Sequence, residues 1–127
     1  MIIGIGTDII EVERIMRLLS EQKKFKHRVF TQREIEYCDS KTHNVQNYAA
    51  RFAVKEAFLK AIGTGWREGV AFKEIEVVND RKGKPELVLY GTAKKIAEEL
   101  AVTNMQVSIS HLKELAIGIV ILEHQRS

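Results

Sequence analysis

Hydrophobic and polar positions change their spacing several times along this chain, and each change predicts an element. Residues 2–10, IIGIGTDII, are β-branched enough for a strand. On alternation Ile3, Ile5, Thr7 and Ile9 share one face of it, and Gly4, Gly6 and Asp8 share the other. From 11 to 20 the spacing becomes helical, with Val12, Ile15, Met16 and Leu19 on one stripe and Glu13, Arg14 and Arg17 off it. Thr31 followed three residues later by Glu34 is a capping-box signature and predicts a short helix over 32–38. The longest helix is expected at 44–62, where Val45, Tyr48, Phe52, Leu59 and Ile62 recur and Gly63 stands at the C-terminal cap. Strands at 74–79 and 86–90 are joined through NDRKGKP, whose Gly83 and Pro85 mark a turn. Residues 92–101 read as an amphipathic helix with Ile96 and Leu100 inward, and two strands follow at 105–110 and 115–122. The last, LAIGIVIL, is apolar on both faces, as expected of a central strand or one at a subunit interface. Helices and strands segregate without regular alternation. That favours an α+β fold, an antiparallel sheet packed against a long helix.

Composition sharpens this picture. With 127 residues, 45% of them apolar and 29% charged, the chain suits one folded domain spanning 1–127. A single cysteine, Cys38, excludes an internal disulfide and an all-cysteine metal cage. No apolar run reaches the roughly 18–20 residues that span a bilayer. MIIGIGTD lacks a basic region ahead of its apolar stretch, so no signal peptide and a cytoplasmic location are expected. The net charge of +3 is unevenly placed: residues 14–28 carry six basic residues against Glu21 alone, a net +5, and the remainder carries −2. Such a run is usually a solvated helix face. Here Met16, Leu18 and Phe25 lie among the charges, a combination that suits docking of an acidic helical partner. Nucleic acid has less support, because the patch is short and offers only Phe25 for stacking.

Two segments could carry chemistry. Asp8 stands in a strand beside glycines, where it either faces open space or caps the helix that follows. The GIG at 4–6 is not a dinucleotide fingerprint, since Ile9 occupies the third glycine position. These glycines instead allow another backbone or a ligand to come close. In RFAVKEAFLKAIGTG, at 51–65, Lys55 falls inside the apolar stripe and Glu56 at its edge. A snorkelling lysine beside a solvated glutamate is one reading. An adjacent Lys-Glu pair ahead of a Gly-Thr-Gly helix end favours a ligand site. Asp8 and Glu56 together would suit a magnesium ion that keeps waters and binds substrate phosphates. Lysine, arginine and the glycine-rich helix end would then hold those phosphates. The four histidines are too scattered for a zinc site, and no nucleophile elbow is present. Ser108 and Ser110, ahead of His111, read equally well as an ordinary polar strand face.

GIGTDII with Glu11 and Arg14 after it, FTQREIEYC at 30–38, RFAVKEAFLKAIGTG, KGKP at 82–85 and SISH at 108–111 occur in this order. Together they closely resemble the bacterial holo-[acyl-carrier-protein] synthases, a family of 4′-phosphopantetheinyl transferases. The resemblance spans essentially the whole chain. It implies the fold of that family and transfer of 4′-phosphopantetheine from coenzyme A to a serine of acyl carrier protein, releasing adenosine 3′,5′-bisphosphate. It implies Mg2+ on Asp8 and Glu56, with Lys60 offsetting charge on the leaving bisphosphate. Coenzyme A would meet Lys60, Gly63, the turn residues Gly83, Lys84 and Pro85, and His111. The basic first helix would dock the carrier protein through Arg14 and Arg28, with Arg17 and Phe25 beside them. Small members of the family are homotrimers with coenzyme A bound between subunits. Some carry an aspartate after the SISH histidine, whereas Leu112 stands there in this chain, so a His-Asp pair is not available. A carboxylate or a metal-bound water would then serve as the base. The competing reading is a non-catalytic module whose basic helix binds nucleic acid or an acidic protein. A third is a structural oligomer joined through LAIGIVIL.

Overall fold

In a computed structural model that describes residues 1–63 and 69–126, strand β1 (Ile2–Glu11) passes directly into helix α1 (Val12–Glu21). Two short helices follow, α2 (Phe25–Val29) and α3 (Gln32–Asp39), and then the long helix α4 (Asn44–Ile62). A 3-10 turn at Phe72–Glu74 leads into the hairpin β2 (Ile75–Asn79) and β3 (Pro85–Leu89). Helix α5 (Gly91–Glu99) connects it to β4 (Asn104–His111) and β5 (Leu115–Glu123). β5 is the centre of an antiparallel sheet ordered β1-β5-β4, while β2 and β3 form a second antiparallel pair. The apolar character of LAIGIVIL thus matches a central strand.

Glycines set how closely the sheet and α4 meet. A Cβ at Gly6 would lie 1.8 Å from the carbonyl oxygen of Ala57, and one at Gly4 2.1 Å from that of Ala61. On β5, a Cβ at Gly118 would lie 2.7 Å from the Val54 nitrogen. The helix backbone therefore rests on the strand backbones, and the close approach expected at GIG is that of α4. From Tyr48 to Leu59 every residue of α4 except Glu56 is buried. The sheet covers one side of it, and α1 and α3 with β2 enclose the others. Its N-terminal half packs with Ile15, Val29, Phe30 and Ile35, and its C-terminal half with Ile75, Val77, Val120 and Leu122.

Lys55 is fully buried and does not belong to a ligand site. Its ammonium donates to Glu34 Oε1 at 2.8 Å and to the carbonyls of Phe72 and Ile75 at 3.0 and 2.6 Å. Burial lowers its proton affinity, and the facing Glu34 charge opposes that. Glu34 also closes the predicted capping box, accepting from the Thr31 N–H at 2.9 Å, and its second oxygen accepts from the Val77 N–H at 2.9 Å. A desolvated cation is tolerable only with such partners. Neither snorkelling nor ligand binding describes it; this lysine ties α3, α4 and β2 together.

One further expectation changes, at α5, and two features lie outside any expectation. α2 has only five residues, too few for a period to show in the sequence. α5 turns Ala93 and Ala97 inward and leaves Leu100 exposed, with Ile96 half-buried. The sheet face turned away from α4 is open: Ile5, Ile9 and Ile119 are 63%, 58% and 36% exposed, and on β4 Ser108 pairs Ile119 while Ser110 pairs Ile117, the partner of Ile9.

Candidate active site

Strand parity puts Asp8 on the same face of β1 as Gly4 and Gly6, toward α4. It does not cap α1, whose N-cap is Glu11 with no side-chain hydrogen bond. Instead its Oδ1 accepts from Lys60 Nζ at 3.0 Å, and the same ammonium donates to the Thr7 carbonyl at 3.0 Å. Lys60 lies one turn beyond Glu56 on α4, so the helix presents both toward the strand. Glu56 is half-buried, and its proton affinity is raised by burial and then by the Asp8 charge, against the pull of Lys60 and Arg14. Asp8, Glu56, Lys60 and Arg14 thus form one charged group assembled from β1, α4 and α1. Two repelling carboxylates offer hard oxygen donors, and a divalent cation would relieve their repulsion. Among the described residues no cluster of three His, Cys, Asp or Glu side chains exists. The pair therefore suits magnesium better than a metal that wants a full protein cage, since magnesium keeps waters and phosphate oxygens as ligands.

The second set of expected residues lies elsewhere. In the β2–β3 turn Asp80 Oδ1 accepts from the N–H groups of Lys82 and Lys84 at 2.8 and 2.9 Å, and Gly83 adopts φ +86°. This holds Gly83, Lys84 and Pro85 in a tight loop. Beside it opens a cavity of about 420 Å³ lined by Arg33, Tyr37, Lys41, Arg51, Asn79 and Arg81, among others. Arg51 is only 3% exposed; its guanidinium lies 4.2 Å from the Tyr37 ring centre and donates to Asn79 Oδ1 at 2.6 Å. Its Nε is the one buried side-chain polar atom without a partner among the described residues. An orphan donor on a buried cation, with Lys41, Arg81 and the Glu76-paired Arg33 around it against the single carboxylate Asp80, suits an anionic group. Sequence reasoning missed this cavity. Its signal in the sequence is slight, since α4 contributes Arg51 alone and the other lining residues come from α3, the segment after it and the hairpin.

The remaining candidates are scattered. His111 ends β4 opposite Ala116, exposed, with the strand parity of Val107 and Ile109; Ser108 and Ser110 belong to the other face. Gly63 caps α4 with φ +85°, its N–H engaged by the Leu59 and Lys60 carbonyls. This is the carbonyl end of the helix, whose partial negative charge attracts cations, so helix polarity does not favour phosphate there. Thr64 and Gly65, the rest of that glycine-rich end, lie outside the described residues. On the basic segment Arg14, Arg17 and Arg28 are exposed and Met16 is 49% exposed. Phe25, expected to meet a partner, is half-buried, its ring 6.2 Å from Phe30 and 6.1 Å from Phe52.

At about 100° per residue, Arg51 and Glu56 leave α4 roughly 140° apart. The basic cavity and the carboxylate pair of one copy therefore lie on different sides of the same helix. No helix among the described residues is long and apolar enough to cross a membrane.

Comparison with known proteins agrees with this geometry. A holo-[acyl-carrier-protein] synthase of Solibacter usitatus is 49% identical over 125 residues, covering 98% of this chain and 100% of that protein. A solved holo-[acyl-carrier-protein] synthase from Neisseria meningitidis superposes with a TM-score of 0.87 at 36% identity, covering 97% of this chain and 99% of that one. One from Bacillus anthracis, in complex with CoA (3′,5′-ADP), gives a TM-score of 0.81 at 39% identity, covering 98% and 99%. The family model for the 4′-phosphopantetheinyl transferase superfamily matches residues 4–120, nearly the whole of the fold and both charged sites, and the chain belongs to that superfamily.

Proposed function

We propose that this chain transfers 4′-phosphopantetheine from coenzyme A to a serine of acyl carrier protein and releases adenosine 3′,5′-bisphosphate. The observation that carries the reading is the meeting of Asp8, Glu56 and Lys60 at one point, with Arg14 joining them to the basic helix α1. Asp8 and Glu56 would hold magnesium, which when bound supplies positive charge to the pyrophosphate. Lys60 donates to a phosphate oxygen on the same side and stabilises the charge that collects on the leaving bisphosphate. The serine oxygen bonds to the β-phosphorus as the bridge to the α-phosphate breaks, so what the protein contributes is mostly alignment and charge.

Two features support a homotrimer with sites between copies. One coenzyme A molecule reaching both the anion cavity around Arg51 and the carboxylate pair would have to draw them from neighbouring subunits, because α4 separates them within one. The open isoleucine face of the β1-β5-β4 sheet offers the surface for such neighbours. The exposed Arg14, Arg17 and Arg28 suit an acidic carrier protein. The position of Arg14 beside the carboxylates favours a dock for the substrate over an independent nucleic-acid module.

Mass spectrometry of apo carrier protein after incubation with this protein, coenzyme A and magnesium tests the reading. The carrier is expected to gain one phosphopantetheine. No gain, under conditions where another holo-synthase works, overturns it.

A further inference from the structure

We infer that Lys60 is a resident counter-cation of Asp8 that gives up this carboxylate when a divalent cation arrives, so that metal and the pyrophosphate of coenzyme A load cooperatively. The inference rests on the reading just proposed and adds an order of events to it. Asp8 Oδ1 is already engaged by the Lys60 ammonium at 3.0 Å, on the carboxylate that a metal would need. A divalent cation entering there meets a positive charge, and like charges this close repel strongly outside bulk water.

The two partners differ in freedom. The Asp8 side chain is 18% exposed on a strand backed by α4, whereas that of Lys60 is 56% exposed on a flexible stem. Such an exposed pair costs little to break, so the lysine is the group that moves. Once displaced it needs a new anion, and a bound pyrophosphate provides one. Conversely, a pyrophosphate that draws Lys60 away leaves Asp8 free for metal. Each ligand thereby improves the site for the other, and by linkage the effect is reciprocal. Glu56 stays a carboxylate for the metal throughout, since its position on α4 does not depend on Lys60.

The test measures Mn2+ binding by electron paramagnetic resonance, with and without coenzyme A and without carrier protein, so that no turnover occurs. Wild-type protein is expected to bind Mn2+ weakly alone and more tightly with coenzyme A. Lys60→Met should bind Mn2+ alone about tenfold more tightly than wild type. The tightening by coenzyme A should shrink by a similar factor, without vanishing, because phosphate oxygens still ligate the metal directly. Lys60→Arg, which keeps the charge, should resemble wild type. If Lys60→Met binds Mn2+ alone no more tightly than wild type, or keeps the full coenzyme A effect, the exchange is overturned. Asp8→Asn and Glu56→Gln separate the two failures. Should they lose Mn2+ while Lys60→Met behaves as wild type, only the exchange falls; should they keep it, the magnesium reading falls and the exchange with it.

Discussion

Glu56 is held in a place that makes ionisation harder, by burial first and by Asp8 second, and two cations only partly compensate. A carboxylate must be ionised to hold a metal. In the metal-free protein Glu56 should titrate above the usual carboxylate range, as its carboxyl NMR shift followed against pH would show. Lys60→Met removes one of the opposing charges and should move that titration further up. Glu56→Gln should cost roughly 10²–10³-fold in rate with an unchanged thermal melting point. Glu76 behaves in the opposite way. Burial would raise its pKa, but hydrogen bonds from Arg33, Thr31 and Tyr90 outweigh that and hold it at about 2. Its contribution to stability is present above the usual carboxylate range and is lost as pH falls toward 2. The unfolding free energies of wild type and Glu76→Gln should therefore differ by about 3 kcal/mol near neutral pH and converge as pH falls toward 2. Asp8 and Glu56 were legible in the sequence because each breaks a local pattern, a charge among glycines and a charge at the edge of an apolar stripe. Arg51 and Glu76 were not, and of Glu34 only the local capping role showed, since Asn79 stands 28 residues from Arg51, Val77 43 from Glu34 and Thr31 45 from Glu76. No spacing rule joins residues so distant.

Elements were read with few losses where period and punctuation agreed, as in α4 with Gly63 and α3 with its capping box. Where the period was short or diluted they were passed over or misread: α2, a single turn, drew no reading, and α5 turns alanines inward rather than Leu100. The burial of α4 on nearly all sides was also hidden, because an apolar stripe shows only one contact face and Lys55 resembles a surface residue. Gly6→Ala is expected to force α4 off the sheet, costing about 1–3 kcal/mol by urea denaturation and lowering activity as Glu56 moves away from Asp8. Lys55→Met leaves Glu34 charged in the interior without its cation. About 3–5 kcal/mol of stability should be lost, and the double change Lys55→Met with Glu34→Gln should recover part of it.

At the scale of the molecule, the net charge of +3 hid a basic face set against an acidic remainder. Rising ionic strength should raise KM for the carrier protein far more than it lowers kcat, as screening weakens that face's pull. The isoleucine face of the sheet makes a separate prediction: Ile5→Glu combined with Ile119→Glu should turn the assembly into monomers in sedimentation experiments and abolish transfer, leaving each copy folded. That face was half legible. LAIGIVIL announced a strand with no polar side, but which side lies open became visible only once α4 had covered the other. The resting of α4 on bare strand backbone has a consequence for how such a protein can change over time. The gap between the two carboxylates is measured out by main-chain atoms, which every sequence shares. Side chains in the two core clusters are then free to drift, altering how much heat the protein withstands while the space left for a cation keeps its size. Robustness and chemistry can evolve on separate clocks.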